Sequence, residues 1–545
     1  MLRAVRNNTR KPQGKMDSVI LPFTCPPQAH GVIRKEPRNL LELHNLCIAA
    51  GLNLASGLRD VVRKWYLEQE LLDFKLTILL YLPKTRVPGG KVEVVEARAF
   101  LTVQTLRETG NILGVLQQTG GVSGMLINQP EPSNELLKNV GVGIVHVHDF
   151  LDPVTSALLN GAKPYAGKAV AIGLGALGSQ VFNNLMRAGF GKWTLIDDDI
   201  FLPHNAARHF LGSWAVGRSK VEALKEIADS MFEDGTFAEV IHGNVIHPGN
   251  NLGKIAKAMN ESEIILDMSA SIAVSRHLAD LQKNPRAVSI FVSPDGNSLV
   301  LTAEDRLRKV RLDWLEMLHY RAILNEIGLS NSFQSVDSRV RYGHSCRDVT
   351  TRLPQDAFST WAGIASKAVK KIACEDNPSV RIYASSEDGT IASFNPEVEE
   401  PIKLELLDWT IQFDEWLLRK LGRIREERLP NETGGVLIGS FDTARRVCSI
   451  ADLLPSPPDS KEWPTSYIRG CKGLQENVKR VQTQTLGQLT YVGEWHSHPR
   501  GASTMPSADD RKAYSWLVQH MNIDSLPAIM MIIGDGNNFT LVTTS

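Results

Sequence analysis

The sequence predicts an α/β protein of several domains, and three stretches carry that expectation. An apolar run from Ala169 to Ile172 leads into a glycine-spaced turn and a periodic helix. A second apolar run, Trp193 to Ile196, ends in Asp197, so residues 169–197 alternate strand, helix and strand. Far downstream, His496 and His498 stand two apart in another apolar strand. At 545 residues the chain has room for about three or four domains of roughly 150 residues each.

Composition bounds the class of function. A content of 43% hydrophobic and 22% charged residues is that of globular protein with ample core. Lys plus Arg and Asp plus Glu both number 60, so the balance advertises neither nucleic acid nor an anionic membrane as a partner. No apolar run approaches the ~20 residues that span a bilayer. The six cysteines (Cys25, Cys47, Cys346, Cys374, Cys448 and Cys471) include no CxxC pair. Neither a disulfide framework nor a thiolate metal site is implied, and a reducing cytoplasm is the expected setting.

In chain order, residues 1–37 are expected to be disordered, because the first sixteen are basic, lack acid and form no clean amphipathic face. Residues 38–149 read as an α+β accessory domain. Leu40 to Arg63 has helical spacing, and strands are expected at Lys75 to Leu82 and Val92 to Leu101, parted by the turn Lys84 to Gly90. Cys25 and Cys47 lack the electropositive setting of a reactive thiolate and read as inert. Recruitment or dimer support is the expected role here.

The next domain, 150–384, is a nucleotide-binding unit by its glycines. Gly173 permits a tight turn, Gly175 lets backbone amides approach phosphate, and Gly178 lets the helix pack close to the strand. The helix amino terminus then faces the anion. After Asp197 come Asp199, Asn205-x-x-Arg208 and Gly217-x-x-Lys220. This ordered set resembles the ThiF/MoeB and ubiquitin-activating adenylating enzymes. The resemblance implies a Rossmann-like ThiF adenylation domain using ATP and Mg2+. By it, Asp197 holds the ribose, while Asn205, Arg208 and Lys220 grip phosphates during attack by a carboxylate. Asp267, ending the strand Ile264 to Leu266, is a further expected ATP-site residue, since ligands of open α/β sheets gather at that edge. The family often carries a second aspartate three positions later, credited with placing magnesium; here that position is Ala270. Asp267 or Asp199 would assume the role, or metal use is altered.

Cys346 lies among Arg341, His344 and Arg347. Neighbouring cations stabilise thiolate, the nucleophilic form. The segment is similar to the cysteine-bearing segment of bacterial activating-enzyme relatives, which implies a thioester there; an isolated structural cysteine is the plainer alternative.

Residues 385–404 are polar and read as a linker or surface loop, ahead of a last domain at 405–545. There, residues two apart in a strand project to one face, so His496 and His498 can meet one ion. An aspartate from the next helix, Asp510 with Asp509 in reserve, would make three protein ligands and leave a position for water, the pattern of catalytic zinc. Glu432 in Glu-Thr-Gly-Gly would take the water's proton, with Glu494 a rival base, and Ser507 would donate to the oxyanion. Together these resemble the JAMM/JAB metallopeptidases, although eight residues rather than seven part His498 from Ser507. The resemblance implies an α/β JAB/MPN domain binding Zn2+.

Taken together, the resemblances imply a bacterial fusion that activates a ubiquitin-like protein and processes or deconjugates it. A conjugating-enzyme-like partner, a homodimer and a place in a bacterial ubiquitination-like system, with an association to phage defence, are expected with it. Sulfur-carrier activation and a partly degenerate scaffold are the alternatives.

Overall fold

The apolar run ahead of the glycine turn forms the strand Tyr165–Ile172, third in an eight-stranded sheet. This computed structural model describes residues 18–31, 35–67, 69–119, 122–127, 129–147, 151–232, 235–329, 339–341, 349–351, 353–406 and 408–542, and counts of elements refer to these. The sheet order is Ala238–His242, Phe190–Asp197, Tyr165–Ile172, Ile264–Asp267, Ala287–Val292, Ser298–Ala303, Ser379–Ser385, Ile391–Phe394. The first five strands are parallel and the rest pair antiparallel. Both faces of the parallel part are covered, which is why its strands read as unbroken apolar runs: Val170, Ala171, Ile265 and Leu266 are wholly buried.

Connectivity places the site. From Tyr165–Ile172 the chain steps outward to Phe190–Asp197 and Ala238–His242, then returns to lay Ile264–Asp267 on the other flank. This reversal opens a crevice at the carboxyl ends of the two central strands, where sheets of this kind take ligands. Gly173 and Met268 sit at its floor; the Met268 amide donates to the Ile172 carbonyl at 2.8 Å.

A seven-stranded sheet follows, in the order Ile402–Leu406, Trp409–Phe413, Val447–Pro455, Gly434–Asp442, Thr490–Ser497, Met530–Ile533, Phe539–Val542. It belongs with the first sheet to one compact unit, residues 150–545. The two share a core: Trp314, Leu315 and Leu318 on the helix Leu312–Asn325 cluster with Val436, Ile438 and Ala451 of the second sheet. Charges fix the register of that contact. Arg321 forms a two-pronged pair with Asp414 at 2.6 and 2.9 Å, both buried, and its Nε donates to the Ala451 carbonyl at 2.6 Å. Asp414 in turn caps the helix Glu415–Arg428 by accepting from the Leu417 amide. Arg276 pairs with both Glu316 and Asp442, and Arg445 with Asp280 and Asp313.

The unit formed by residues 1–149 is α+β, as its sequence suggests. The helices Leu40–Ala49 and Leu54–Trp65 pack Leu43, Leu58 and Val62 against Ile78, Leu80 and Phe100 of a sheet. Cys25 and Cys47 are buried there, and burial pushes the Cys47 thiol up to about 12.

Two boundaries differ from the sequence expectation. The region 1–37 was expected to be disordered, but Ser18–Thr24 pairs in parallel with Lys75–Thr85 and buries Leu21. The basic stretch ends at Lys15, and the apolar Val19, Ile20, Leu21 and Phe23 behind it make a strand. The expected linker 385–404 contains the strand Ile391–Phe394, hydrogen-bonded to Ser379–Ser385 through a turn that Asp388 caps by accepting from Ser386 and Thr390. Turn-rich polarity marked a hairpin at the edge of the sheet.

Candidate functional site

At the nucleotide turn, two of the three glycines are demanded by their neighbours. Gly173 has φ +80°, and a Cβ there would lie 2.5 Å from the Ser269 Cα. A Cβ on Gly178 would lie 2.1 Å from the Gly173 carbonyl oxygen. Gly175 faces open space and caps the helix Ala176–Arg187, leaving that helix's free N–H groups unobstructed.

Asp197 braces the turn. Its carboxylate accepts from the Leu174 amide at 2.6 Å and the Asp199 amide at 2.8 Å. Burial raises its pKa, opposed by Lys220. Lys220 is itself buried and pairs with Asp199 at 2.6 Å. Asn205 caps its own short 3-10 turn, Pro203–Ala207, by accepting from the Leu202 amide at 2.8 Å. The Arg208 guanidinium lies 5.9 Å from the Phe358 ring and reaches the Leu353 carbonyl at 3.5 Å, next to the helix Gln355–Ile372.

Asp267 departs from its expected place at the nucleotide. It is wholly buried, and its oxygens accept from the Ser269 amide and hydroxyl, the Ser275 hydroxyl and the Ser289 hydroxyl. Those bonds hold the turn Ser269–Ser271 behind the glycines and leave no face for a ligand. Cys346 lies outside the described residues.

His209 was not singled out by sequence. Its Nδ1 accepts from the Leu211 amide at 3.0 Å, so Nε2 carries the proton and donates to the Leu174 carbonyl at 2.7 Å. The adjoining backbone is stapled too: Gln180 donates to the Arg208 carbonyl, and the Phe210 amide to Ser179. The loop bearing Asn205 and Arg208 is thereby tied to the glycine turn. Burial holds the His209 imidazole down at about 4, keeping it neutral. Its place directly after Arg208 is the one signal in the sequence.

The second site is assembled by sheet register. Gly434 pairs with His496, so the antiparallel ladder carries Glu432 alongside His498. Gly434 is needed because a Cβ would stand 2.3 Å from the Tyr467 ring. The strand Thr490–Ser497 then presents His496, and His498 follows just beyond it. Asp510 arrives on the first turn of the helix Ala508–Met521, 3.1 Å from His496 Nε2 and 3.4 Å from His498 Nε2. The ligand atoms of these three residues lie within 4.8 Å of one another.

Their chemistry fits a metal. His496 Nε2 is buried and makes no hydrogen bond, an orphan that an ion would satisfy. His498 Nδ1 donates to the Ser503 carbonyl at 2.6 Å, which fixes the ring with its Nε2 toward Asp510. Burial alone would raise Asp510, yet the two imidazoles hold it far below the usual carboxylate range. Ser507 caps the helix reciprocally with Asp510: its Oγ accepts from the Asp510 amide while the Asp510 carboxylate accepts from its own amide. The Ser507 hydroxyl proton is not used in that exchange.

Glu432 lines the same cavity of about 540 Å3, and burial raises its pKa to about 7. The rival Glu494 is held by Arg469 at 2.8 Å and by the Tyr491 hydroxyl at 2.8 Å. Asp509 is exposed and pairs with Lys512. Sequence reading missed Arg425, whose buried guanidinium donates to the His498 carbonyl at 2.8 Å and to Asp535 at 2.7 Å. Asp535 also accepts from the Gly501 amide, so one arginine ties down both ends of the loop after His498.

A family model described as the ThiF family matches residues 165–298, and one described as prokaryotic homologs of the JAB domain matches residues 414–543. The chain is 36% identical over 104 residues to a CD-NTase/cGAS isopeptidase of Enterobacter hormaechei subsp. hoffmannii (strain UCI 50), covering 19% of this chain and 56% of that protein. It is 29% identical over 126 residues to the ATP-dependent ubiquitin transferase-like protein Cap2 of the same organism, covering 23% of this chain and 20% of that one. This chain therefore spans about half the length of the first relative and a fifth of the second. Among solved structures, E. coli MccB with MccA-N7isoASN matches over 43% of this chain and 65% of that chain, with 16% identity and a TM-score of 0.31. The glycine turn lies within the first matched region and the His/His/Asp group within the second: residues 165–298 are a ThiF-family region, and residues 414–543 are a prokaryotic JAB-domain region on the same chain.

Proposed function

We propose that this chain uses ATP and magnesium to activate the carboxyl terminus of a small ubiquitin-like protein, and that its second region, holding zinc, processes or removes that same protein. The observation that carries the reading is the convergence of His496, His498 and Asp510 beside Glu432, in one compact unit with the glycine turn.

In the first region the carboxylate oxygen of the substrate attacks the α-phosphorus of ATP, the bond to the β-phosphate breaks, and pyrophosphate leaves with the charge. Helix N–H groups at Gly175 and the cations Lys220 and Arg208 suit that developing charge. Asp197 would hold the ribose and Asp199 the magnesium, with Lys220 exchanging its Asp199 partner for phosphate. Cys346 would then attack the acyl carbon, releasing AMP and leaving a thioester for a conjugating-enzyme-like partner.

In the second region, two imidazoles and a carboxylate with one position left for water are the donor set of catalytic zinc. Zinc there would lower the pKa of water toward ~7. Glu432, raised by burial to about 7, accepts a proton on its carboxylate and returns it to the leaving amine. Ser507 donates its free hydroxyl proton to the carbonyl oxygen as charge builds there. The names of the two Enterobacter relatives, an isopeptidase and an ATP-dependent ubiquitin transferase-like protein, support the pairing of these two activities.

The test pairs two assays on purified full-length protein with a small ubiquitin-like protein ending in Gly-Gly. ATP–pyrophosphate exchange is expected only with that protein present, and cleavage of a version carrying a carboxyl-terminal extension is expected to require Glu432. Cleavage without exchange would overturn the adenylation half. It would favour a second reading, in which the first region is a binding scaffold; Ala270 and the wholly buried Asp267 are the observations on its side.

A further inference from the structure

The two histidines of the metal centre are held in different ways. His496 lies inside the strand Thr490–Ser497 and is paired on both sides, with Gly434 across one ladder and Ile532 across the other. His498 follows the end of that strand. Its amide still donates to the Ile533 carbonyl at 2.9 Å. The strand Gly434–Asp442 begins opposite His496, so that ladder has ended by His498, and the His498 carbonyl accepts instead from Arg425 Nε at 2.8 Å.

Arg425 is built into that position. It lies on the helix Glu415–Arg428 with its side chain 1% exposed. Gly422, three residues earlier on the same helix face, lets the helix close on the 3-10 turn Asp535–Asn537: a Cβ there would stand 2.0 Å from Asn537 Oδ1. That approach brings Arg425 Nη2 to Asp535 at 2.7 Å, while Nη1 donates to Glu426 at 2.7 Å. A buried guanidinium is costly to keep unless its donors are paired, and here all three nitrogens are.

Both carboxylates pass this hold on to the loop after His498. The second oxygen of Asp535 accepts from the Gly501 amide at 2.7 Å, and the second oxygen of Glu426 accepts from Arg500 at 2.9 Å. Gly501 has φ +77°, a left-handed turn open to glycine. Two residues on, the Ser503 carbonyl accepts from His498 Nδ1 at 2.6 Å. Arg425 therefore fixes the main chain of His498 directly, and through the loop it fixes the partner of the His498 ring. Neither Arg425 nor Asp535 lines the metal cavity.

We propose that Arg425, acting through Asp535, is a positioning residue that sets the affinity of the His496, His498 and Asp510 group for a divalent cation. The inference rests on reading that group as a metal centre. A ligand just past a strand's end can turn unless something replaces the missing ladder, and Arg425 is that replacement. Outer partners of this kind orient a ligating imidazole, and losing one costs about 10–100-fold in metal affinity.

The probe is Zn2+ alone, titrated onto metal-stripped full-length protein against a chromophoric chelator, with far-UV circular dichroism to check the fold. Asp535→Asn changes a partly exposed side chain and leaves Arg425 in place; it is expected to weaken zinc binding by at least about tenfold. Arg425→Gln is expected to weaken it at least as much, and the double variant to stay within about threefold of Arg425→Gln, because the two residues act as one unit. Co2+ supplies a readout that a merely structural role would not move: the strong visible absorption of a four-coordinate ion in wild type, weakened in Asp535→Asn because His498 is held less firmly. A loss of less than about tenfold in folded Asp535→Asn overturns the proposal, as do an unchanged cobalt spectrum and losses that simply add in the double variant. A wild type that binds neither ion overturns the metal reading of the three ligands, and this inference with it.

Discussion

The metal centre and the nucleotide turn share one body but differ in how their charged groups stand. At the metal centre the three ligands converge, His496 Nε2 has no hydrogen bond, and Glu432 lies in the cavity with its pKa raised. At the nucleotide turn the groups are engaged with the protein itself: Lys220 with Asp199, Asp197 with two backbone amides, Arg208 with Leu353 and the Phe358 ring. Ligands carried on a strand and a helix are positioned by backbone geometry before anything binds. On the proposed reading, Lys220, the first residue of the helix Lys220–Met231, and Arg208 would exchange these internal partners for phosphate when the substrate arrives. The difference teaches that one set of charged groups already converges on a common point, while the other is taken up by partners within the protein.

The sharpest break of that comparison is Glu432→Gln. Loss of a positioned general base costs about 10²–10⁴-fold in rate, and the preorganised centre should keep its metal because the three ligands are untouched. Cleavage of a carrier with a carboxyl-terminal extension, measured alongside elemental analysis, reads both. Asp510→Ala should instead lose the metal, since it removes a ligand and one half of the helix cap. Loss of metal in Glu432→Gln would mean that the base and the ion are not separate parts.

Sequence revealed these two sites unequally, for a physical reason. The glycine spacing and the His496-x-His498 pair are local, and local backbone geometry suffices to place them. Glu432 was legible through the resemblance of its Glu-Thr-Gly-Gly context to the JAMM/JAB pattern, and sheet pairing then brings those glycines opposite the histidine strand. Asp267 was misplaced because a strand's carboxyl end says nothing about three serines, two of them eight and twenty-two positions away, that take up its oxygens. His209 and Arg425 were missed for the same reason: their partners, Leu174 and the His498 carbonyl, are 35 and 73 residues away. The shared core could not be read at all, since Trp314 and Val436 sit in stretches that each look complete as the core of their own region.

A second break tests whether the two regions are one cooperative body. Arg321→Leu leaves Asp414 buried without its partner, and stranding one member of a buried pair costs about 3–5 kcal/mol. Urea unfolding followed by tryptophan fluorescence in a Trp65→Phe background, where every remaining tryptophan lies in residues 150–545, should show a single transition at lower midpoint. Two separated transitions, with only one of them moved, would show that the junction is adhesive rather than integral.

The smallest expected effect sharpens the comparison at the nucleotide turn. His209 is buried, and its pKa falls from about 6.5 to about 4 because burial disfavours the charged ring, against the raising effect of its bond to Leu174. The unfolded chain therefore binds a proton between pH 6.5 and 4 that the folded chain refuses, so stability is lost as pH falls through that window and is fully present above it. At 1.36 kcal/mol per unit this amounts to about 3 kcal/mol. His209→Gln keeps an N–H for the Leu174 carbonyl and removes the titration. Its stability, from urea midpoints at pH 7 and pH 4, should fall less than that of wild type by about that amount. Identical acid dependence in the two proteins would mean that the imidazole is not held neutral against the glycine turn, and that its bond to Leu174 is not what clasps the loop bearing Arg208.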